Sequence, residues 1–162
     1  MLVRPFLLLR LASLALALAG CAGSGTESGG GGGGGGGNDC KNPPTPTVSY
    51  AGNIQPIYNR SCATSSSCHI GPTSGAALQL TQGTSYGATV NVPSTQQPRL
   101  LLVKPGDPDT SYLLRKVEGG PSISGLLMPQ GCPGTPLGGA VCPTADEVTA
   151  IRTWIMECAP DN

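Results

Sequence analysis

The chain has little charge and no excess of either sign. Its 162 residues include nine Lys and Arg and nine Asp and Glu, so the formal net charge is zero and only 11% of the residues are charged. Such a chain is not attracted electrostatically to nucleic acid or to an anionic membrane surface. We therefore expect no nucleic-acid partner.

Aromatic residues are also scarce. The sequence has one Trp, one Phe and four Tyr, and Phe6 lies in a segment that we expect to be removed. The remaining core is thin, and small domains with weak cores usually need disulfides, a metal or a cofactor.

The apolar run at the start of the chain is too short to span a bilayer comfortably. Leu11 to Ala19, preceded by two arginines, has the length of a secretory signal. It ends in Leu18-Ala19-Gly20-Cys21, which resembles the lipobox of bacterial lipoproteins; the alternative is an ordinary signal peptide that ends near a cysteine. The resemblance implies a signal peptide over residues 1–20 and a lipid on Cys21. Because Ala22 is not acidic, it also implies the outer membrane, at its periplasmic face or the cell surface.

A glycine-rich stretch follows the lipobox. Residues 21–39 include an unbroken glycine run from Gly29 to Gly37, a composition that behaves as flexible coil. About 18 residues of such coil reach roughly 20 to 25 Å. The run is not a phosphate-binding loop, because no strand precedes it and no Lys-Ser or Lys-Thr follows it. We predict a tether here and one domain over residues 40–162.

Three helices are predicted in that domain. The clearest one begins at Thr144, whose spacing to Glu147 is that of a capping box, and Pro160 stops it. Its apolar stripe, which we interpret as core, consists of Val148, Ile151, Trp154, Ile155 and Cys158.

The other two helices are shorter. One is predicted around Ile54, Ile57 and Tyr58, with Asn53 as its cap and Pro56 in its first turn. The other should begin at Asp109 or Thr110 and run through Lys116 until two glycines, Gly119 and Gly120, end it. Two apolar runs between them, VNVP and LLLVKPGD, form either a small strand pair or buried extended chain.

Export to an oxidising compartment changes how the seven cysteines are interpreted, because thiols there pair or are consumed covalently. If Cys21 carries lipid, an even number of cysteines remains, and none is necessarily left unpaired. The remaining cysteines are Cys40, Cys62, Cys68, Cys132, Cys142 and Cys158.

The stretch CATSSSCHIG, Cys62 to Gly71, contains the only histidine, His69. In a haem attachment site two thiols add to the two porphyrin vinyl groups, and the histidine after the second cysteine is delivered to the iron. The alternative is a disulfide between Cys62 and Cys68 with a histidine beside it. Zinc is less favoured, since it needs four ligands and the other cysteines are expected to pair.

A haem with two axial ligands needs a second one, and a thioether is a common choice. Of three methionines, Met1 is expected to leave with the signal and Met156 lies off the core stripe of the last helix. Met128, in the loop LLMPQG, is therefore the candidate; the alternative is a methionine that fills a gap in the core. For the second nitrogen of His69 we expect a carbonyl of the following loop as partner.

The order of several short stretches in the predicted domain resembles the cytochrome c-like domains common in planctomycetes and myxobacteria. The resemblance covers nearly all of residues 50–162. It is carried by NIQPIYNRSCA, CHIG, ALQL, SYGATVNVPS, VKPGDPDTSYLLRKVEG, MPQG and PLGGAVCPTADEVTAIRTWI. It implies a mainly α fold whose first and last helices cross, thioether bonds at Cys62 and Cys68, and His69 and Met128 as iron ligands. The chain departs from the family pattern in having five residues between the thiols, small and polar ones that can bulge outward, where two are usual.

Two further cysteine pairs make sense within that fold. Cys132 and Cys142 flank a loop after Met128, and a bond there, closing about 10 residues, would be worth roughly 2.7 kcal/mol. If the terminal helices cross, Cys40 and Cys158 can also meet, and closing about 118 residues would contribute roughly 5 kcal/mol.

The favoured hypothesis is an envelope-anchored mono-haem c-type cytochrome that carries single electrons between redox proteins and is not an enzyme. The alternative is a haem-free lipoprotein of the same fold, a binding or structural module with Cys62 and Cys68 joined.

Overall fold

The computed structural model describes residues 39–71 and 77–162, which all fall within one unit, Gly34–Asn162. The predicted signal peptide, Cys21 and all of the predicted tether except Asp39 lie outside the described residues. The architecture is mainly α, as predicted. Its helices are α1 (Gln55–Ser61), α2 (Ser85–Thr89), α3 (Tyr112–Glu118) and α4 (Ala145–Met156), with a π-helical turn at Tyr50–Ile54 and a 3₁₀ turn at Pro108–Thr110.

Helix α4 begins as the sequence predicts. The hydroxyl of Thr144 accepts from the amide of Glu147 at 3.3 Å, and the Glu147 carboxylate accepts from the amide of Thr144 at 2.8 Å. These two bonds satisfy first-turn amides that have no partner within the helix. The face of α4 that carries Ile151, Trp154 and Ile155 is buried.

The first helix begins earlier than predicted. Ser49, not Asn53, is the cap: its hydroxyl accepts from the amide of Gly52 at 3.1 Å. Asn53 lies inside the helical turn, and its side-chain oxygen accepts from the amide of Ser49 at 2.9 Å. The chain therefore enters α1 through the π-helical turn Tyr50–Ile54, and Pro56 occupies the first turn of α1 as expected.

Helix α3 is present but begins later than predicted, at Tyr112 with Ser111 as its N-cap, because residues 108–110 form a separate 3₁₀ turn. Asp107 accepts from the amide of Thr110 at 3.1 Å and caps the 3₁₀ turn, after which α3 runs to Glu118. Gly119 ends the helix in a left-handed conformation with φ of 84°, which glycine adopts without steric cost.

The two apolar runs meet in a minimal β element. Val90 forms a parallel bridge with Val103, and Pro93 forms an antiparallel one with Leu101. No longer strand is formed within the residues that the structure describes. The short helix α2, which directly precedes this element, was not predicted.

The core lies between the first helical segment and α4. The ring of Tyr50 lies 5.3 Å from that of Trp154 and 5.1 Å from that of Tyr86. The first and last helical segments are thus in contact. The buried apolar residues around them include Ile54, Ile57, Tyr58, Val103, Leu114, Ile151 and Ile155.

Both predicted disulfides are present. Cys40 bonds Cys158 and joins the two ends of the described domain, and Cys132 bonds Cys142 in the loop between α3 and α4. Among residues 39–71 and 77–162, no helix has the length and apolar character needed to cross a membrane.

Candidate cofactor site

All of the side chains predicted to bind haem line one cavity. The cavity has a volume of about 530 Å³, within the usual range for ligand and cofactor pockets. Cys62, Cys68, His69 and Met128 all contribute to its wall. The rest of the wall is largely apolar and includes Ile57, Leu80, Leu102, Leu113 and Ile151.

The wide spacing between the thiols is taken up by a folded loop. The amide of Cys68 donates to the carbonyl of Ser65 at 3.0 Å, and the amide of His69 donates to the carbonyl of Cys62 at 3.2 Å. Ser66 and Ser67, at the tip of the turn between Ser65 and Cys68, are exposed. The five intervening residues therefore bulge while the backbone of His69 returns to the end of α1.

His69 is oriented by the segment that follows it. Its Nδ1 lies 3.0 Å from the carbonyl oxygen of Leu78, and the amide of Leu80 donates to its carbonyl at 2.9 Å. A carbonyl only accepts, so Nδ1 carries a hydrogen in this contact. The expected carbonyl partner is confirmed, and this bond fixes the orientation of the imidazole ring.

The two thiols have different surroundings, and no disulfide joins them. Burial, aided by the nearby Cys68, raises the pKa of Cys62 to about 12. Hydroxyl groups lower the pKa of Cys68: Ser65 and Thr64 donate to its Sγ at 3.2 and 3.5 Å. Cys62 is thus a neutral thiol at neutral pH, and Cys68 is the more readily ionised nucleophile.

Met128 lies in the loop between α3 and α4, and its backbone is hydrogen-bonded to α3. Its amide donates to the carbonyl of Lys116 at 2.7 Å. The side chain of Lys116, which also lines the cavity, donates to the carbonyls of Ser124 and Leu126. Lys116 was not predicted as a site residue, because a lysine on a short helix is expected to lie in solvent.

The disulfide loop after Met128 approaches the cysteine segment. A methyl group at Gly138 would lie 2.7 Å from the Sγ of Cys68, and φ at Gly138 is 66°. The amide of Val141 donates to the carbonyl of Arg60 in α1 at 3.1 Å. Gly138 was not predicted either; the only signal for it is the Gly-Gly pair in PLGGAVC.

The cavity fits a prosthetic group of the predicted kind. Its donors are an imidazole nitrogen, a thioether and two thiols, the set that a covalently attached haem needs. Two hydroxyls on its wall, those of Tyr58 and Ser61, are buried and have no hydrogen-bond partner among the described residues. Buried polar groups are nearly always partnered, so these two hydroxyls can each bond an ordered water or a polar atom of a bound group.

Within the part of the chain that the structure describes, no group of three His, Cys, Asp or Glu side chains is arranged to hold a bare metal ion. Comparisons of the chain with protein-family models, with curated proteins and with solved structures found no match.

Proposed function

We propose that the protein is a mono-haem c-type cytochrome that carries single electrons and catalyses no reaction of its own. The observation that carries the proposal is the convergence of Cys62, Cys68, His69 and Met128 on one apolar cavity. Their chemistry and order in the sequence predict a haem site by themselves, although up to 66 positions separate them.

Attachment follows from thiol chemistry. Each S–H group adds across one vinyl C=C bond, so that sulfur bonds one carbon and hydrogen the other, and no oxidant is consumed. This addition needs two reduced thiols, and Cys62 and Cys68 are both thiols in the structure. The hydroxyls of Thr64 and Ser65 favour the thiolate of Cys68, which makes it the better nucleophile.

Ligation would use Nε2 of His69 and the thioether of Met128. The bound haem supplies the redox chemistry, one electron gained or lost at its iron. The chain supplies the orientation of His69 through Leu78, and apolar side chains such as Leu80 and Leu113 that exclude water. A thioether ligand and a dry cavity both raise the reduction potential.

The location and partners rest on the sequence. The lipobox-like end of residues 1–20 supports lipid attachment at Cys21 and anchoring in the cell envelope. The partners would then be redox proteins at the periplasmic face of the outer membrane or at the cell surface.

The test is expression in a host with working cytochrome c maturation. We expect a red protein whose mass after denaturation includes one haem. The double variant Cys62→Ala/Cys68→Ala should lose covalent haem, while Ser66→Ala, at an exposed position of the same loop, should keep it. Colourless protein would contradict the proposal. A peptide map with Cys62 bonded to Cys68 would then favour the haem-free binding or structural lipoprotein.

Met128 is tested separately. Met128→Ala should leave haem attached but change its axial ligation, which the visible and near-infrared spectra of the ferric protein report. Met156→Ala is the matched control, because Met156 lies on α4 and is 45% exposed. An unaltered spectrum in Met128→Ala would remove Met128 from this role.

A further inference from the structure

Lys116 is buried, although lysine is among the residues least often found inside proteins. It lies on α3 and is 7% exposed. Its Nζ donates to the carbonyl of Ser124 at 2.8 Å and to the carbonyl of Leu126. Both acceptors belong to the segment that leads from the end of α3 to Met128.

The backbone of Lys116 holds the same segment at a third point. Its carbonyl accepts from the amide of Met128 at 2.7 Å. One residue therefore fixes residues 124, 126 and 128 relative to α3. Ser124 is fixed further by its amide, which donates to the hydroxyl of Tyr112 at 2.9 Å.

The ammonium group of Lys116 has no carboxylate partner among the described residues. Burying a charge is costly, and replacing a buried charge with an apolar side chain often leaves stability unchanged or improves it. Stability alone therefore does not explain a lysine here. Its carbonyl acceptors instead point to a role in fixing the segment that carries Met128.

We propose that Lys116 is a positioning residue that holds the thioether of Met128 at the cavity wall. This inference rests on the proposed haem function. Loss of the ammonium donors frees the carbonyls of Ser124 and Leu126, and the Met128 segment then moves away from the cavity more often. An external ligand competes with Met128 for the iron and reports this directly.

The experiment titrates the ferric holoprotein with imidazole. Hydrogen bonds to a charged group are strong enough that Lys116→Met should bind imidazole about tenfold more tightly than wild type. Lys116→Gln, which keeps a polar head without the charge, should show a smaller gain and serves if Lys116→Met does not fold. Lys41→Met, which removes an exposed lysine, should match wild type.

A double-mutant cycle separates positioning from general destabilisation. If Lys116 acts through Met128, the double variant Lys116→Met/Met128→Ala should bind imidazole with the same affinity as Met128→Ala alone. Equal affinity of wild type, Lys116→Met and Lys116→Gln would overturn the inference, and so would the same gain in both backgrounds. Wild-type protein without haem would instead contradict the proposed function.

Discussion

The two ends of the described domain are joined by one disulfide and the loop between α3 and α4 is closed by another, but the surroundings of the two bonds differ. Near Cys158, the Glu157 carboxylate accepts from the amides of Thr47 and Val48 at 3.0 and 3.1 Å, and the aromatic core lies beside them. The loop of residues 119–143 contains no helix, and Pro129 is its only buried residue. Leu126 and Leu137 in this loop are 65% and 60% exposed.

This difference suggests that the terminal region determines mainly the stability of the domain, whereas the loop determines mainly the geometry of the candidate site. The terminal region is held by a long-range disulfide together with hydrogen bonds and apolar packing. The loop carries Met128 but has almost no core of its own, so it is held mainly by hydrogen bonds, among them those of Lys116, and by the Cys132–Cys142 bond. Removal of contacts in the terminal region should lower the free energy of unfolding. Removal of contacts in the loop should change the position of Met128 at the cavity.

The largest effect is expected for Cys40→Ser/Cys158→Ser. The two cysteines lie 118 residues apart in sequence. Closing so long a loop removes unfolded-state entropy worth about 5 kcal/mol. The free energy of unfolding, measured by denaturant titration, should fall by about that amount. A loss of less than about 1 kcal/mol would mean that the unfolded chain is already constrained.

Cys132→Ser/Cys142→Ser should cost less stability and affect the site more. The bond spans 10 residues, which corresponds to about 2.7 kcal/mol. In the haem-loaded protein, imidazole should also bind the ferric iron more tightly than it does in Cys40→Ser/Cys158→Ser. The two variants are compared under conditions that give them the same free energy of unfolding. Equal imidazole affinity in the two double variants would contradict the idea that the loop, and not the terminal region, controls the position of Met128.

Glu157→Gln should destabilise the terminal region by about 2 kcal/mol, the usual worth of hydrogen bonds to a charged group. The folded pKa of Glu157 is lowered because its carboxylate accepts from Thr47 and Val48, which outweighs the opposing effect of burial. Its contribution is therefore complete above the unfolded value of about 4.3 and is lost as the pH falls through the folded pKa.

The free energy of unfolding, measured at several pH values, tests this pH dependence. The difference in free energy between wild type and Glu157→Gln should shrink as the pH is lowered below about 4. A difference that stays constant down to acid pH would show that the ionised carboxylate is not the stabilising form.

Local chemistry accounts for the features that were predictable. The capping box at Thr144 and the αL stop at Gly119 depend on residues within one turn, and both appear as expected. The π-helical start at Ser49 was missed because Tyr50 is placed by Trp154, more than a hundred residues away. Helix α2 was missed for a similar reason: the hydroxyl of Tyr86 donates to the carbonyl of Ala159 at 2.8 Å.

The candidate site divides in the same way. Cys62, Cys68, His69 and Met128 were selected from residue type and order, because few residues offer those donors. Lys116 could not be selected, since its burial depends on where residues 124–126 return to α3. Contacts between a loop and a helix that precedes it leave no recognisable pattern in the spacing of neighbouring residues.

The smallest effect, and the most local test, is at Gly138. Gly138 and Gly139 both have positive φ, 66° and 75°, so alanine at either position is strained by a similar amount, about 1 kcal/mol. At Gly138 the added methyl group would lie 2.7 Å from the Sγ of Cys68, whereas at Gly139 no atom of the described residues lies within 4 Å of it. In thermal unfolding, Gly139→Ala should therefore lose only the stability that the backbone strain costs, and Gly138→Ala should lose more, because the side chain of Cys68 must also shift.

Haem attachment should separate the two variants. Gly138→Ala displaces Cys68 and should lower the fraction of protein with two thioether bonds, measured by the mass of the denatured protein, while Gly139→Ala should match wild type. If both variants attach haem equally well, the approach of the disulfide loop to Cys68 does not constrain the thiol. A defect in Gly138→Ala alone would mean that the loop stabilises the site through contact with Cys68 as well as through Met128.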